Sequence, residues 1–382
     1  MNLSEIQIDS KALIENYRSL RSLISSQEKV AVVVKGNAYG HGLDEVCSVL
    51  EPYADYFQVD DLDELLRVRA VSHKRVLVLG YVPRCSLPEV IAFGAELGLF
   101  DMETLGALVE TGLPAKVHIK VDALLGRLGT LPSQLDALIE ELAKHPQIEV
   151  RGVYAHFANI EDTTDLTHAL AQAEVFDEAS AKVRARYPIA KRHISATSGA
   201  MTVEQDNARD LVRLGIGIYG LYPSAPLART HSDVGLKPVL RWVTHLAQVK
   251  ELPAKHPVGY GLTYVTPRPM RIGIVPQGYS DGFDRGLSNS GDVLVGGRRC
   301  PVLGRVAMNM FAVDLSAVPE VKTEDEVVLL GGQGQERIDA EEIATKLGTI
   351  NYEVTSRICP LLPRIVTPIE SPVEPSSFAA AI

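Results

Sequence analysis

The sequence predicts an α/β protein, an N-terminal (β/α)8 TIM-type barrel followed by a mainly β domain. Two patterns lead there. Over roughly the first 230 residues, short apolar runs alternate with amphipathic stretches, as in βα units. After Leu236-Lys237-Pro238 the helical periodicity nearly vanishes, and short runs broken by Gly, Pro and Asn take over. The barrel strands are predicted at residues 30–35, 56–59, 75–80, 96–100, 116–121, 150–157, 193–197 and 210–216. Helices are predicted at 43–50, 61–71, 87–93, 102–111, 134–144 and 166–186. Eight strands interleaved with helices is what a closed parallel barrel requires. In the second half, strands are predicted at 243–249, 271–275, 292–295, 302–306, 311–315 and 326–330, with a helix at 340–347. The predicted domains are 8–236 and 237–382, with residues 1–7 packing on the second. The Pro/Ser/Ala-rich tail from 371 to 382 is predicted to fray.

Composition narrows the function. Lys+Arg number 38 against 48 Asp+Glu, a net charge of -10 with no block of like charge, which argues against a nucleic-acid partner. No apolar run approaches membrane-spanning length, and Met1-Asn2-Leu3-Ser4-Glu5-Ile6 lacks the basic and apolar regions of a signal peptide. Cys47, Cys85, Cys300 and Cys359 are scattered without CxxC spacing, the usage of reduced thiols in a cytoplasmic enzyme. No metal site is expected.

The most informative segment is Val32-Val33-Val34-Lys35-Gly36-Asn37-Ala38-Tyr39-Gly40-His41-Gly42. A lysine closing a strand buried on both faces is desolvated, which favours the neutral, nucleophilic amine that Schiff-base chemistry needs. The plainer reading is a lysine that snorkels out of a strand end. Tyr39 and the nearby glycines shift the balance, because they build a backbone that approaches a ligand closely. Ser198-Gly199 follow the seventh predicted strand, and Gly215-Ile216-Gly217 close the eighth. In barrels those two loops bind phosphate most often. Alone, Ser198 is an ordinary turn serine; with Lys35 it outlines a site for a phosphorylated aldehyde cofactor.

In these residues the chain resembles the alanine racemases, whose fold is a pyridoxal-phosphate barrel with a β domain. The resemblance implies that Lys35 carries pyridoxal 5'-phosphate and that Tyr39, Ser198, Gly215, Ile216 and Tyr352 serve its phosphate side. His156 lies beside the ring in that family, and Arg213 faces the pyridine nitrogen. Tyr260 in Val258-Gly259-Tyr260-Gly261 matches the second catalytic base, and Tyr279 in Gly278-Tyr279-Ser280-Asp281-Gly282 the entrance tyrosine. Met308 matches the residue whose amide meets the substrate carboxylate, a group that Arg127 also reaches.

Lys120 ends a predicted strand and Arg127 lies seven residues on. Two like charges in one site of low dielectric repel. The family resolves this by carbamylating the lysine; the alternative is that Lys120 pairs with an acid such as Asp122 and Arg127 is a surface helix residue. Three departures from the family pattern stand out: Ala123-Leu124-Leu125 before Gly126-Arg127, Thr197 before Ser198, and Asn309 after Met308. They bear on amino-acid preference more than on the reaction.

The implied activity is racemisation of alanine, supplying D-alanine for peptidoglycan. Lys35 would act on the D face and Tyr260 on the L face, with the cofactor as electron sink. An ordinary phenol, titrating at about 10, is a poor base at neutral pH, so His156 and Arg213 are expected to assist it. An arginine facing the ring nitrogen disfavours its protonation and speaks against the barrel decarboxylases, which use an acid there. A non-catalytic pyridoxal-phosphate barrel would lack a second domain. The runner-up is a serine or broad-specificity racemase. The resemblance also implies a cytoplasmic head-to-tail homodimer in which Tyr260 comes from the partner subunit.

Overall fold

A computed structural model describes residues 2–161, 165–202 and 210–367. The chain divides into two compact units, one comprising residues 13–39 and 46–237, the other residues 1–12, 40–45 and 238–382. The first strand, β1 (Glu5–Asp9), belongs to the second of these.

The first unit is an eight-stranded parallel sheet rolled into a nearly closed barrel with helices. Its strands are β2 (Lys29–Val33), β3 (Tyr56–Val59), β4 (Arg75–Val78), β5 (Glu96–Leu99), β6 (Ala115–Lys120), β7 (Ile148–Tyr154), β8 (Lys191–His193) and β9 (Leu211–Leu214). From β2 to β8 each strand pairs in parallel with the next, and β9 pairs with β2, so β8 and β9 face each other across the seam. At the seam, Asp210 N–H donates to Arg192 O at 3.0 Å and Arg213 N–H to Ser195 O at 3.1 Å. The β2, β3 and β5 side chains are almost wholly buried, as expected of strands covered on both faces. Aspartates just past two strands start the next helices: Asp61 caps Leu62–Val71 by accepting from Glu64 N–H, and Asp101 caps Met102–Glu110 by accepting from Thr104 N–H.

Several barrel strands end before their predicted limits, among them β4 at Val78 rather than 80 and β9 at Leu214 rather than 216, and two of these ends share one reason. β7 stops at Tyr154 rather than 157 and β8 at His193 rather than 197. The carbonyls of Ala155, His193 and Ile194 point to the Arg213 guanidinium. Likewise β2 stops at Val33, because the backbone from Gly36 onward turns left-handed.

The second unit is built on a ten-stranded sheet. It contains β10 (Leu240–His245), β11 (Gln248–Leu252), β12 (Pro257–Val258), β13 (Tyr264–Val265), β14 (Met270–Val275), β15 (Asp292–Val295), β16 (Arg298–Leu303), β17 (Phe311–Asp314), β18 (Glu326–Gln333), β19 (Glu336–Ile338) and β20 (Arg364–Thr367). The sheet runs β11-β14-β17-β16-β15-β18-β10-β1-β20, with β19 on β18; β12 and β13 form a separate ribbon. β1 lies antiparallel to β10 and parallel to β20. The single strand predicted at 243–249 is two strands, since β10 pairs with β18 and β11 with β14. Between them Leu246 N–H bonds to Asp325 O and Ala247 N–H to Ile274 O, so the chain changes neighbours there. The helix Ala340–Leu347 forms as predicted, followed by Asn351–Ser356. The tail from 371 to 382 lies outside the described residues.

Candidate active site

Lys35 opens a run of left-handed backbone at the C-terminal end of β2. Gly36, Asn37, Ala38, Tyr39 and Gly40 all have positive φ, between 52° and 86°. For the three non-glycine residues this region is disfavoured by roughly 1–2 kcal/mol each, so neighbours must hold it. Ala38 N–H donates to Val34 O at 2.7 Å, and Asn37 N–H to Glu64 Oε1 at 3.1 Å. The Lys35 side chain is 44% exposed and lies 3.4 Å from Asp60 Oδ1, at the end of the adjacent β3. The desolvation expected of a strand-end lysine is therefore not what forms; the ammonium is half-exposed and paired with a carboxylate.

Tyr39 reaches the end of β9. A Cβ on Gly215 would lie 2.7 Å from Tyr39 Oη, so the glycine leaves the space that the hydroxyl uses. Its ring sits 5.2 Å from that of Tyr219, whose hydroxyl donates to Val33 O. Thr197 Oγ1 accepts from Gly215 N–H at 3.1 Å and from Gly217 N–H at 3.4 Å. Of the two backbone donors expected to meet a phosphate, Gly215 is thus engaged by Thr197. Buried Ser198 donates to Glu161 Oε2 at 2.9 Å.

Arg213 is buried and its guanidinium is nearly saturated. Nη1 donates to His193 Nδ1 at 2.8 Å and His193 O at 3.0 Å. Nη2 faces Ala155 O at 2.8 Å, Ile194 O at 3.0 Å and His156 Nδ1 at 3.1 Å. Only Nε–H has no partner among the described residues. A guanidinium can only donate, and this sets the tautomers of the histidines beyond it. His193 Nδ1 accepts, so its Nε2–H donates to His118 Nδ1 at 2.8 Å. His118 Nε2–H then donates to Glu96 Oε2 at 2.6 Å. Arg75 binds the other Glu96 oxygen. Burial and the Arg213 charge keep His193 neutral, far below its ordinary range, and burial lowers His118 as well. Burial pushes the Glu96 carboxyl up, but His118 and Arg75 outweigh it and hold it below 4.5. His156 falls to about 3 through burial first, then the charges of Arg213, Arg127, Lys120 and Lys35.

Lys120 is buried at the end of β6, its ammonium 5.6 Å from the Tyr154 ring centroid. Burial first, then Arg127, Arg213 and Lys35, pull its pKa down to about 8. The Asp122 carboxylate accepts from the N–H groups of Leu125, Gly126 and Arg127, so the Lys120–Asp122 pair does not form. Arg127 is exposed on that loop.

Four further residues lie in the second unit. Tyr260, after β12, is 74% exposed. Tyr279 and Met308 are brought together: Tyr279 N–H donates to Ala307 O and Ser280 N–H to Met308 O, each at 3.1 Å. A Cβ on Gly278 would lie 2.2 Å from Ala307 O, so only glycine allows this approach. Tyr352 is half-buried on the helix Asn351–Ser356.

Residues 8–223 match the sequence profile of the alanine racemase N-terminal domain, and residues 239–366 that of the C-terminal domain. The chain belongs to the alanine racemase family. It is 39% identical over 378 residues to the alanine racemase of Desulfosudis oleivorans, covering 94% of this chain and 95% of that protein. It is 36% identical over 370 residues to alanine racemase 2 of Caldanaerobacter subterraneus subsp. tengcongensis, covering 95% and 94%. Among solved structures, the Bacillus anthracis alanine racemase with bound L-Ala-P superposes with a TM-score of 0.90 at 32% identity, covering 96% of this chain and 95% of that one.

Within this alanine racemase fold, the three sequence departures have local accounts. Thr197 organises the β9 loop through Gly215 and Gly217. Asn309 Nδ2 donates to Ser280 Oγ at 2.9 Å. Leu124 has φ of 59° and is exposed, its carbonyl 3.1 Å from His168 Nε2. Asp60, Glu64, Glu96, His118 and His193 were missed as site residues. Glu64 alone had a local signal, the Asp-x-x-Glu cap at 61–64.

The buried chain generates a stability prediction. Glu96 has a depressed pKa, so its contribution is present above 4.5 and is lost as pH falls below it. The lowered histidines His118 and His193 act in the same direction, beginning below 6.5. Unfolding in urea between about pH 3.5 and 8 should show stability falling on acidification in both windows. Glu96→Gln should lose about 3 kcal/mol at neutral pH and flatten the lower window. A variant as stable as the parent at neutral pH would rule out the charged terminus.

Proposed function

We propose that the protein interconverts L-alanine and D-alanine with pyridoxal 5'-phosphate as its resident cofactor, by a two-base route. The observation that carries this reading is Lys35, presented from a left-handed turn at a barrel strand end beside Tyr39, in a chain similar to alanine racemases over most of its length. The residues present fit the cofactor. Lys35, Lys120, Arg127 and Arg213 act on one another or on His156 electrostatically, making the barrel mouth cation-rich and suited to an anionic group. The uncommitted Arg213 Nε–H matches an acceptor such as a ring nitrogen. One feature opposes a phosphate, the Glu161 carboxylate on the Ser198 hydroxyl. A bound phosphate dianion would repel that carboxylate and would compete with it for the Ser198 hydroxyl.

In this reading Lys35 holds the cofactor, and Tyr39, Ser198, Ile216 N–H, Gly215 and Tyr352 line its phosphate. When bound, the cofactor supplies the electron sink for removal of the Cα proton. Lys35 Nζ holds or delivers the proton on one face, and Tyr260 Oη on the other. Arg127 and the Met308 amide orient the substrate carboxylate, with Tyr279 at the entrance. His156, kept neutral, leaves its Nδ1 free to accept from Arg213. The neutral form of the Lys120 amine, favoured by its lowered pKa, would add to carbon dioxide with loss of one proton to solvent, and the resulting carbamate would supply an anion for Arg127.

We assign the barrel to residues 8–236 and the β domain to 237–382 with residues 1–7 on the latter, although residues 8–12 and 40–45 cluster with the β unit. Profile matches to 8–223 and 239–366 support this. A homodimer with shared sites is part of the same reading. It is supported by the exposure of Tyr260, Leu262, Val265, Met308 and Met310, more apolar surface than one loop needs to leave open. A cytoplasmic enzyme supplying peptidoglycan precursors is consistent with four cysteines, none of them in a disulfide.

Purified protein mixed with L-alanine should form D-alanine and carry the visible absorption of bound cofactor. Lys35→Ala should lose both; a coloured, active Lys35→Ala would sink the reading. Carbon-13 NMR with labelled bicarbonate should show a carbamate signal that disappears in Lys120→Ala, and an unmodified Lys120 in the active enzyme would refute that assignment. Mixing inactive Lys35→Ala with inactive Tyr260→Phe should restore one intact site per mixed dimer, about a quarter of full activity after random exchange. No recovery despite proven exchange, or a fully active monomer, would exclude shared sites.

A further inference from the structure

Glu64 occupies the third position of the helix Leu62–Val71, after the Asp61 cap, where a glutamate normally reaches back to the cap's own N–H. Here it reaches elsewhere. Oε2 accepts from Asp60 N–H at 2.9 Å and Oε1 from Asn37 N–H at 3.1 Å, with Gly36 N–H also directed at the carboxylate. One side chain therefore joins the left-handed turn after β2, which presents Lys35, to the turn after β3, which presents Asp60. Those two ends meet again through Lys35 Nζ and Asp60 Oδ1, 3.4 Å apart.

We propose that Glu64 is a positioning residue: as a double acceptor it clamps the Lys35 turn in its left-handed form and so sets where the Lys35 amine points. This rests on the reading of Lys35 as the cofactor lysine. The backbone of Asn37, Ala38 and Tyr39 lies in a region that persists only where surrounding contacts over-determine it. Of the contacts that do so, Glu64 comes from outside the turn and meets its N–H groups directly. The requirement is for an ionised carboxylate. Both oxygens face N–H donors, and glutamine offers one oxygen and one NH2, so one donor would face another donor. Aspartate is a methylene too short to span both turns.

The test compares Glu64→Gln with Asp63→Asn, a neighbour on the same helical turn that makes neither contact. Borohydride reduction and peptide mass first establish whether the parent enzyme carries its cofactor on Lys35; if it does not, the functional reading fails, whatever the clamp does. Cofactor capture by the apoprotein and the visible circular dichroism of the loaded enzyme are then measured, with melting curves for both variants. Folded Glu64→Gln should capture cofactor about a hundredfold more slowly and show altered dichroism, while Asp63→Asn matches the parent. Parent-like capture and dichroism in Glu64→Gln would overturn the proposal. Should Glu64→Gln not fold, amide exchange on the parent decides. Joint protection of Asn37 and Asp60 N–H supports the clamp, and exchange at the rate of an open loop overturns it.

Discussion

Burying the Arg213 guanidinium is the constraint around which the barrel interior is arranged. A fixed cation at 4% exposure must be hydrogen-bonded and balanced, or it destabilises the fold by several kcal/mol. Three carbonyls from the ends of β7 and β8 turn toward it, which is why those strands stop early. Neutral His193 and His118 continue the donor chain outward in one direction, and Glu96 ends it with a negative charge shared with Arg75. The stacked rings of Tyr154 and His193, 4.9 Å apart and 1° from parallel, hold the first link in plane. Among the described residues, every side-chain N–H of Arg213 except one is thereby committed, and its orientation is set by the barrel rather than by any ligand.

The same burial shapes the charge of the barrel mouth. Burial first, and then the charges of Arg213, Arg127, Lys120 and Lys35, keep His156 neutral; burial first, and then Arg127, Arg213 and Lys35, lower Lys120 to about 8. The acids nearby offset this only in part: Asp60 pairs with Lys35, but Asp122 is bound to three backbone N–H groups and Glu161 to Ser198. A site of this kind selects ligands by charge before shape. Phosphate and carboxylate groups relieve the repulsion, and a carbamate on Lys120 would do so from within.

Local motifs made much of this legible from sequence. Lys35, Tyr39 and Gly40 lie within six residues of each other, and the βα alternation fixed the order of strands that place Ser198 and Gly215 at neighbouring ends. What escaped were partners distant in sequence. His118 and His193 are 75 residues apart, and Glu96 and His118 are 22 apart on adjacent strands. Each alone reads as an ordinary buried polar residue, because only the parallel register of β5, β6, β7 and β8 lines them up. Thr197 shows the converse. It was visible as a departure from the family pattern, yet nothing local revealed that its hydroxyl serves two glycine N–H groups across the seam.

The glycines show why a motif cannot be read as a set of equivalent letters. Gly36 has nothing within 4 Å of a built Cβ, so only its φ of +62° favours glycine, a modest preference of about 1 kcal/mol. Gly40 has φ of +86° and the Thr355 carbonyl oxygen 1.9 Å from that Cβ, so no side chain fits without moving backbone. Gly215 has negative φ, and the Tyr39 hydroxyl, 2.7 Å from a built Cβ, is a side-chain barrier to any larger residue there. A methyl there would displace the very group that links the lysine turn to the β9 loop. Conformation, backbone approach and side-chain approach are three separate constraints. In this fold the third is the one that ties the Lys35 turn to the loop that closes the barrel.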